Sequence, residues 1–139
     1  MQLHRDDANS DRVKDLEQAR IRHAEESLEG ALALLEGGMD AGSAVTSVFY
    51  SFYYPVLALV NEGRVPDTMQ HIVIGLFDRQ FIATGIFHPR YSEALHRVFS
   101  LRPACGSEAP MVTSDEIKGL VSRAGEFINA AAAYLMTRP

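Results

Sequence analysis

The chain has 139 residues, of which 47% are hydrophobic and 22% are charged, and its formal net charge is −5 at pH 7. That length is sufficient for one domain with its own core, and the composition excludes a disordered chain of low hydrophobicity and high charge. The acidic total also excludes a surface that is basic throughout. Any binding of nucleic acid would therefore depend on a local basic patch.

Cysteine content and the N-terminal sequence indicate the cellular compartment. The single Cys105 cannot form an intramolecular disulfide, and the segment MQLHRDDANSDRVK lacks the apolar core of a signal peptide. The longest apolar stretch, Val45 to Val60, contains serines and Pro55 and is shorter than the roughly 20 residues of a membrane span. We therefore expect a cytoplasmic protein in which this stretch is a buried helix.

The N-terminal half of the chain predicts a tail and two helices. Residues 1–9 are polar and aperiodic, so we expect a disordered or frayed tail followed by one domain over residues 10–137. From Ser10 apolar residues recur at helical spacing until Gly37-Gly38, which ends the first helix. A second helix is predicted from Asp40 to Glu62, with Pro55 expected to kink it. Apolar residues lie on more than one face of this helix, as is typical of a central helix.

The C-terminal half predicts three more helices. Asp67 and Gln70 resemble a capping box for helix three, which is expected to end at Gly85. Pro89 suits the first turn of a short helix four that Pro103 ends, and Thr113 with Glu116 forms the capping box of the last helix. With short loops and no alternating strand pattern, the sequence predicts an all-α, up-and-down bundle of four to five helices.

Few residues form a pattern that could support chemistry. Phosphate-loop and nucleophile-elbow motifs do not occur. A di-iron bundle site needs two Glu-x-x-His pairs, and the chain has one, Glu93 and His96, so we expect no metal and no cofactor. For Cys105 we favour an incidental loop thiol over a reactive one activated by Arg102.

The stretch from His88 to Arg102 is locally basic. Arg90, Arg97 and Arg102, helped by His96, are candidates for phosphate binding because a guanidinium can donate two hydrogen bonds to one anion. The alternative is that these arginines are solvated on a helix face. His71 is a further ligand candidate, although a structural role that caps a backbone group or packs against Tyr50 and Tyr54 is favoured.

Helix two carries more aromatic residues than one small bundle needs. Tyr50, Tyr53 and Tyr54 lie within about one turn of each other, so we consider them candidates for a dimer interface or a cleft. A symmetric homodimer would bury the excess apolar surface.

Several segments, in order, resemble the HEPN domain family, and most closely its uncharacterised C-terminal-type branch found beside prokaryotic nucleotidyltransferases. The run from Ala44 to Tyr54 followed by Ala58-Leu59 resembles that family's tyrosine-rich helix. The matching residues over about 11–136 continue with His71, Phe77, Phe81-Ile82, Thr84-Gly85, Arg102, Ser114, Glu116, Ala124, Phe127-Ile128 and Tyr134-Leu135.

The resemblance implies a homodimeric helical bundle with Arg102 facing a cleft between subunits. Catalytic members are metal-independent endoribonucleases with an R-x(4–6)-H motif, in which arginine holds the scissile phosphate and histidine assists the attack. In this chain Ser107, Glu108 and Ala109 stand at the histidine positions, and Gly106-Ser107 replaces the Asp-Tyr of the related branch. No residue is therefore assigned as catalytic.

Three functions remain open at this point. The favoured one is a non-catalytic or degenerate HEPN-type module that dimerises and binds a partner nucleotidyltransferase, a nucleotide or RNA. The first alternative is an endoribonuclease toxin of a toxin–antitoxin pair whose histidine comes from elsewhere. The second is a ligand-free helical dimerisation scaffold, which predicts that Arg102 is salt-bridged within its own subunit.

Overall fold

The central element of the fold is a helix formed by residues 41–60. In the computed structural model, which describes residues 2–38, 41–60, 66–102 and 112–137 and their side chains from residue 11 onward, five α-helices form a bundle around it. No strand occurs in these ranges, which confirms the predicted all-α class. The helices are α1 (Gln2–Glu36), α2 (Ala41–Val60), α3 (Gln70–Phe77), α4 (Pro89–Leu101) and α5 (Ser114–Thr137).

Helix α2 packs against all four other helices. It is long and apolar enough to cross a membrane, but 67% of its apolar window is buried inside the bundle, which is the arrangement of a core helix in a soluble protein. Its buried residues include Phe49, Phe52 and Pro55. The helix is continuous across Pro55 from Ala41 to Val60, and the kink stays a prediction.

Helix α1 begins earlier than the sequence pattern indicated. Its backbone is helical from Gln2, eight residues before the predicted start at Ser10, so the expected tail continues the helix. The physical reason is that neither glycine nor proline interrupts the backbone hydrogen bonds before Gly30. Val13 and Leu16, expected on the buried face, are 37% and 44% exposed.

The start of α3 differs from the prediction. The N-cap is Met69, whose side chain accepts no capping hydrogen bond, so the Asp67–Gln70 capping box is wrong. Both side chains bind arginines instead, as described below. After Phe77 the helix widens into a π-helical turn, Asp78–Ile82, and the chain then reverses at Gly85, where φ is +79°.

The predicted starts of α4 and α5 are confirmed. Pro89 occupies the first turn of α4, and His88 caps it by accepting the Arg90 backbone N–H at Nδ1, 3.1 Å away. Thr113 caps α5 by accepting the Glu116 backbone N–H at Oγ1, 3.0 Å away. The predicted helix ends at Gly63 and Pro103 and the loop containing Cys105 lie outside the described residues.

Candidate functional site: an arginine against two aromatic rings

Arg102, the residue that ends α4, packs against two phenylalanine rings that also contact each other, with their centroids 5.6 Å apart. Its guanidinium carbon is 4.2 Å from the ring centroid of Phe49 on α2 and 4.3 Å from that of Phe99 on α4. Phe49 is fully buried and Phe99 partly so. A cation over an aromatic face is attracted by the negative charge density of the ring, so both rings hold the guanidinium in place. We call Arg102, Phe49, Phe99 and Gln70 the arginine clamp.

The hydrogen bonds of Arg102 leave part of its donor capacity unused. Nη1 donates to Oε1 of Gln70 at 2.7 Å. Among the described residues, the buried Nε has no hydrogen-bond partner and no carboxylate forms an ion pair with Arg102. The two rings contact each other and so lie on neighbouring sides of the guanidinium, whose planar fork suits the oxygens of an anion.

Tyr53 lies behind the clamp in the core. Its ring stacks on Phe49 with centroids 5.2 Å apart, and its hydroxyl donates to the backbone carbonyl of Asp67 at 2.6 Å. Burial, and then the charge of Asp67, raises the pKa of Tyr53 to about 12, against the opposing charges of Arg20 and Arg102. With only 2% of its surface exposed, Tyr53 belongs to the core of its own chain and not to an open cleft.

A second arginine reaches the same end of the bundle from α1. Nη2 of Arg20 is 3.6 Å from Oδ2 of Asp67. Asp67 belongs to a tight turn in which the Met69 N–H donates to the Pro66 carbonyl at 2.9 Å. One four-residue segment, 67–70, therefore contacts Arg20 through its first residue and Arg102 through its last.

The other two candidate arginines have acidic partners. Nε of Arg97 donates to Glu116 at 2.5 Å and Nη2 donates to its second oxygen at 3.2 Å. These hydrogen bonds hold the pKa of Glu116 below its usual range. Arg90 lies 3.8 Å from Glu126 and over the ring of Tyr91. Their charges are compensated locally, which sets Arg102 apart.

His96 forms a separate network with the π-helical turn. Its Nε2 is 2.6 Å from Oδ2 of Asp78, and the Ser92 hydroxyl donates to Oδ1 of the same carboxylate at 2.6 Å. Asp78 therefore fastens α4 to the end of α3. Glu93 is exposed, and the described residues contain no group of three or more metal-ligating side chains.

His71 and two tyrosines lie in different surroundings. His71 is exposed, and within the described ranges no ring contact joins it to Tyr50 or Tyr54. The ring of Tyr54 meets His23 of α1 at 5.2 Å and Tyr50 at 5.6 Å. The reason is that the long α1 covers this side of α2, whereas α3 begins near Tyr53. His71 nevertheless directly follows Gln70 of the clamp.

Several residues of the site were missed by sequence reasoning. Phe99 precedes Arg102 by three residues on α4, a spacing that places two side chains on one helix face and was available as a signal. Phe49, Arg20 and the role of Gln70 carry no such signal, because their contacts join residues far apart in the chain.

Comparison with known proteins identified two distant relatives. The chain is 28% identical over 111 residues to a "UPF0332 protein" of Thermotoga maritima, covering 78% of this chain and 83% of that protein. It is 25% identical over 119 residues to "Putative toxin MJ0142" of Methanocaldococcus jannaschii, covering 85% and 80%. UPF0332 is a HEPN-related family. No family model and no solved structure matches the chain.

Proposed function

We propose that this protein is a non-catalytic HEPN-like module in which Arg102 binds a phosphate group of a nucleotide or RNA. The observation that carries this proposal is the state of Arg102: a guanidinium held against two adjacent rings, with a buried Nε that has no partner and no carboxylate beside it among the described residues. A buried donor without a partner costs about 1–3 kcal/mol, and an anion recovers that cost when a rotation of the Arg102 side chain presents Nε to it.

A scaffold without a ligand accounts less well for this geometry. That alternative predicts a salt bridge for Arg102 within its own subunit, and the described residues contain none. A scaffold also predicts that neither nucleotide nor RNA raises the melting temperature. A ligand that binds only the native state must raise it.

The proposal is non-catalytic because arginine by itself does not transfer protons near neutral pH. Ribonucleolytic attack by a ribose hydroxyl requires a group that accepts its proton. The positions where the HEPN motif has this histidine carry Ser107, Glu108 and Ala109, which lie outside the described residues.

The proposed module acts in the cytoplasm as a homodimer beside a nucleotidyltransferase. The HEPN resemblance is the basis for proposing both the second subunit and the nucleotidyltransferase. We assign the contact between subunits to the half-buried Tyr50 and Tyr54 on α2. Light scattering tests the dimer: a mass near twice 15.3 kDa supports it and a mass near 15.3 kDa contradicts it.

Binding of a fluorescent single-stranded oligoribonucleotide, measured by anisotropy, tests the role of Arg102. Arg102→Gln is expected to weaken binding at least about tenfold, because it removes the charge and the fork together. Arg97→Gln is the matched control. It removes an arginine of α4 whose charge Glu116 already balances. Equal losses in both variants would contradict the proposal and indicate a diffuse charge effect.

A second function, an endoribonuclease toxin, is favoured by the relative named as a toxin. Among the described residues, His71 directly follows Gln70 of the clamp in the chain and is our candidate for the missing histidine. Incubation of the protein with labelled RNA in the presence of a chelator separates the two functions. Cleavage lost in both Arg102→Gln and His71→Ala would support the enzyme, whereas binding without cleavage supports the non-catalytic module.

A further inference from the structure

We propose that the Arg102 site takes a ligand with two phosphate groups, that Arg20 is the second cation, and that the Asp67 carboxylate occupies the second position until the ligand displaces it. This inference rests on the proposed function. It adds to that function a class of ligand and an internal competitor.

The two arginines flank one short segment. Asp67 contacts Arg20 and Gln70 contacts Arg102, and because only two residues lie between Asp67 and Gln70, their Cα atoms are at most about 11 Å apart. The Tyr53 hydroxyl and its stacking on Phe49 connect the Asp67 turn to the clamp from the core side. One extended anionic ligand can therefore reach both guanidinium groups across residues 67–70.

The Asp67 carboxylate is weakly held. Its contact with Arg20 is 3.6 Å, longer than a charge-assisted hydrogen bond, and 54% of the Asp67 side chain is exposed, compared with 22% for Arg20. An exposed ion pair of this kind contributes little. A phosphate group that makes two hydrogen bonds to Arg20 would replace it favourably.

Displacement of Asp67 requires no change in the fold. The backbone of Asp67 is fixed by the turn at Pro66–Met69 and by the Tyr53 hydroxyl, which binds its carbonyl and not its side chain. A rotation of the exposed carboxylate is sufficient. The local charge of Arg20, Asp67 and Arg102 is +1 with the carboxylate in place, and the anion meets two cations once the carboxylate has turned away.

The source of the two phosphates is either a nucleotide strand or a small polyphosphate. Both present anionic oxygens at successive positions. The experiment therefore measures a single-stranded oligoribonucleotide of about ten nucleotides and inorganic triphosphate as separate probes, with inorganic phosphate as the one-phosphate reference. The dependence of affinity on salt concentration is recorded for each probe. The slope of log affinity against log salt concentration counts the phosphates that the protein neutralises.

The decisive variants are Asp67→Asn and Arg20→Gln. Asp67→Asn removes the charge that competes with the ligand for Arg20 and retains the backbone carbonyl. It is therefore expected to tighten binding of whichever probe with several phosphates the site takes, by about twofold to fivefold. Arg20→Gln is expected to weaken binding and to make the slope of log affinity against log salt concentration shallower by about 0.7 for a single strand. In the double variant it is expected to abolish the gain from Asp67→Asn. Affinity for inorganic phosphate should change less in each.

Glu126→Gln and Arg123→Gln are the matched controls, because they remove the same charges elsewhere on the surface, where Glu126 lies 2.8 Å from Arg123 and 3.8 Å from Arg90. If Asp67→Asn tightens binding no more than Glu126→Gln, or if its gain survives in Arg20→Gln, the two-phosphate inference is overturned. The proposed function survives that result provided Arg102→Gln still weakens binding. If Arg102→Gln has no effect, both proposals fail.

Discussion

Two groups of aromatic side chains in this molecule differ in what their rings pack against, which is mainly other rings in one group and a guanidinium in the other. One, here called the apolar ring cluster, is built around Phe127, whose ring contacts four others. Its members are Phe52, Phe77, Phe81, Phe87, Tyr91, Phe127 and Tyr134. The other is the arginine clamp, in which two adjacent phenylalanine rings pack against a guanidinium.

The difference separates a region that only stabilises the fold from one to which we assign a function. Rings that pack on rings remove apolar surface from water and stabilise the fold at every contact. The clamp stabilises less, because its charge is partly desolvated and the buried Nε of Arg102 has no partner among the described residues. A local cost of this kind in an otherwise well-packed bundle supports the proposal that the clamp binds a ligand.

The largest effect is expected in the apolar ring cluster. Phe127→Ala removes a fully buried ring and should lower the free energy of unfolding by about 3–5 kcal/mol, measured by urea denaturation. Phe99→Ala in the clamp is the comparison, and its loss should be smaller because Phe99 is only partly buried. Equal losses would remove the distinction between the two regions, and Phe127→Leu provides a milder variant if the alanine variant does not fold.

Alkaline pH is expected to lower the free energy of unfolding because Tyr53, which stacks on Phe49 of the clamp, loses its proton. Its pKa is raised to about 12 in the folded protein, compared with about 10 when unfolded, so the folded state binds more protons between these values. The stabilisation is complete below pH 10 and is lost as pH rises through 12, by about 2–3 kcal/mol in total. Urea unfolding at pH 9 and pH 11.5 measures it. Tyr53→Phe should show a smaller decline, and an identical decline would exclude Tyr53 as the cause.

Arg102→Met is expected to change stability less than either of these. The variant loses two cation–π contacts and also removes the unpartnered buried donor, so the net change should stay within about 2 kcal/mol in either direction. Binding of the oligoribonucleotide should nevertheless be lost. A loss of stability close to that of Phe127→Ala would identify Arg102 as a structural residue and contradict the functional assignment.

The smallest effect is expected for Arg97→Gln. Because Glu116 already neutralises Arg97, the variant should change anion affinity by less than about twofold. Thermal unfolding, followed by circular dichroism, should show a slight decrease that salt reduces, since the pair is exposed. A tenfold loss of affinity would extend the binding site along α4 beyond the clamp.

Much of the fold was predictable from local patterns. The apolar periodicity of residues 114–137, the cap at Thr113 and Pro89 at the start of α4 each depend on neighbours within a turn or two, and the structure confirms them. The Asp67–Gln70 pair fits the same kind of pattern and is not a capping box, because two arginines from other helices take both side chains. A local signal is reliable only where no distant residue competes for it.

The sequence by itself determined the helical class and the central position of α2, since these depend on periodicity and composition. It also indicated Arg90, Arg97 and Arg102 as candidates for phosphate binding, and the family resemblance drew attention to Arg102. Only the tertiary structure decided that Arg97 meets Glu116 while Arg102 meets two rings and an amide. The reason is physical: the availability of a side chain depends on the groups that packing brings beside it, and Glu116, Gln70 and Phe49 are all distant in the chain from the arginines that they contact.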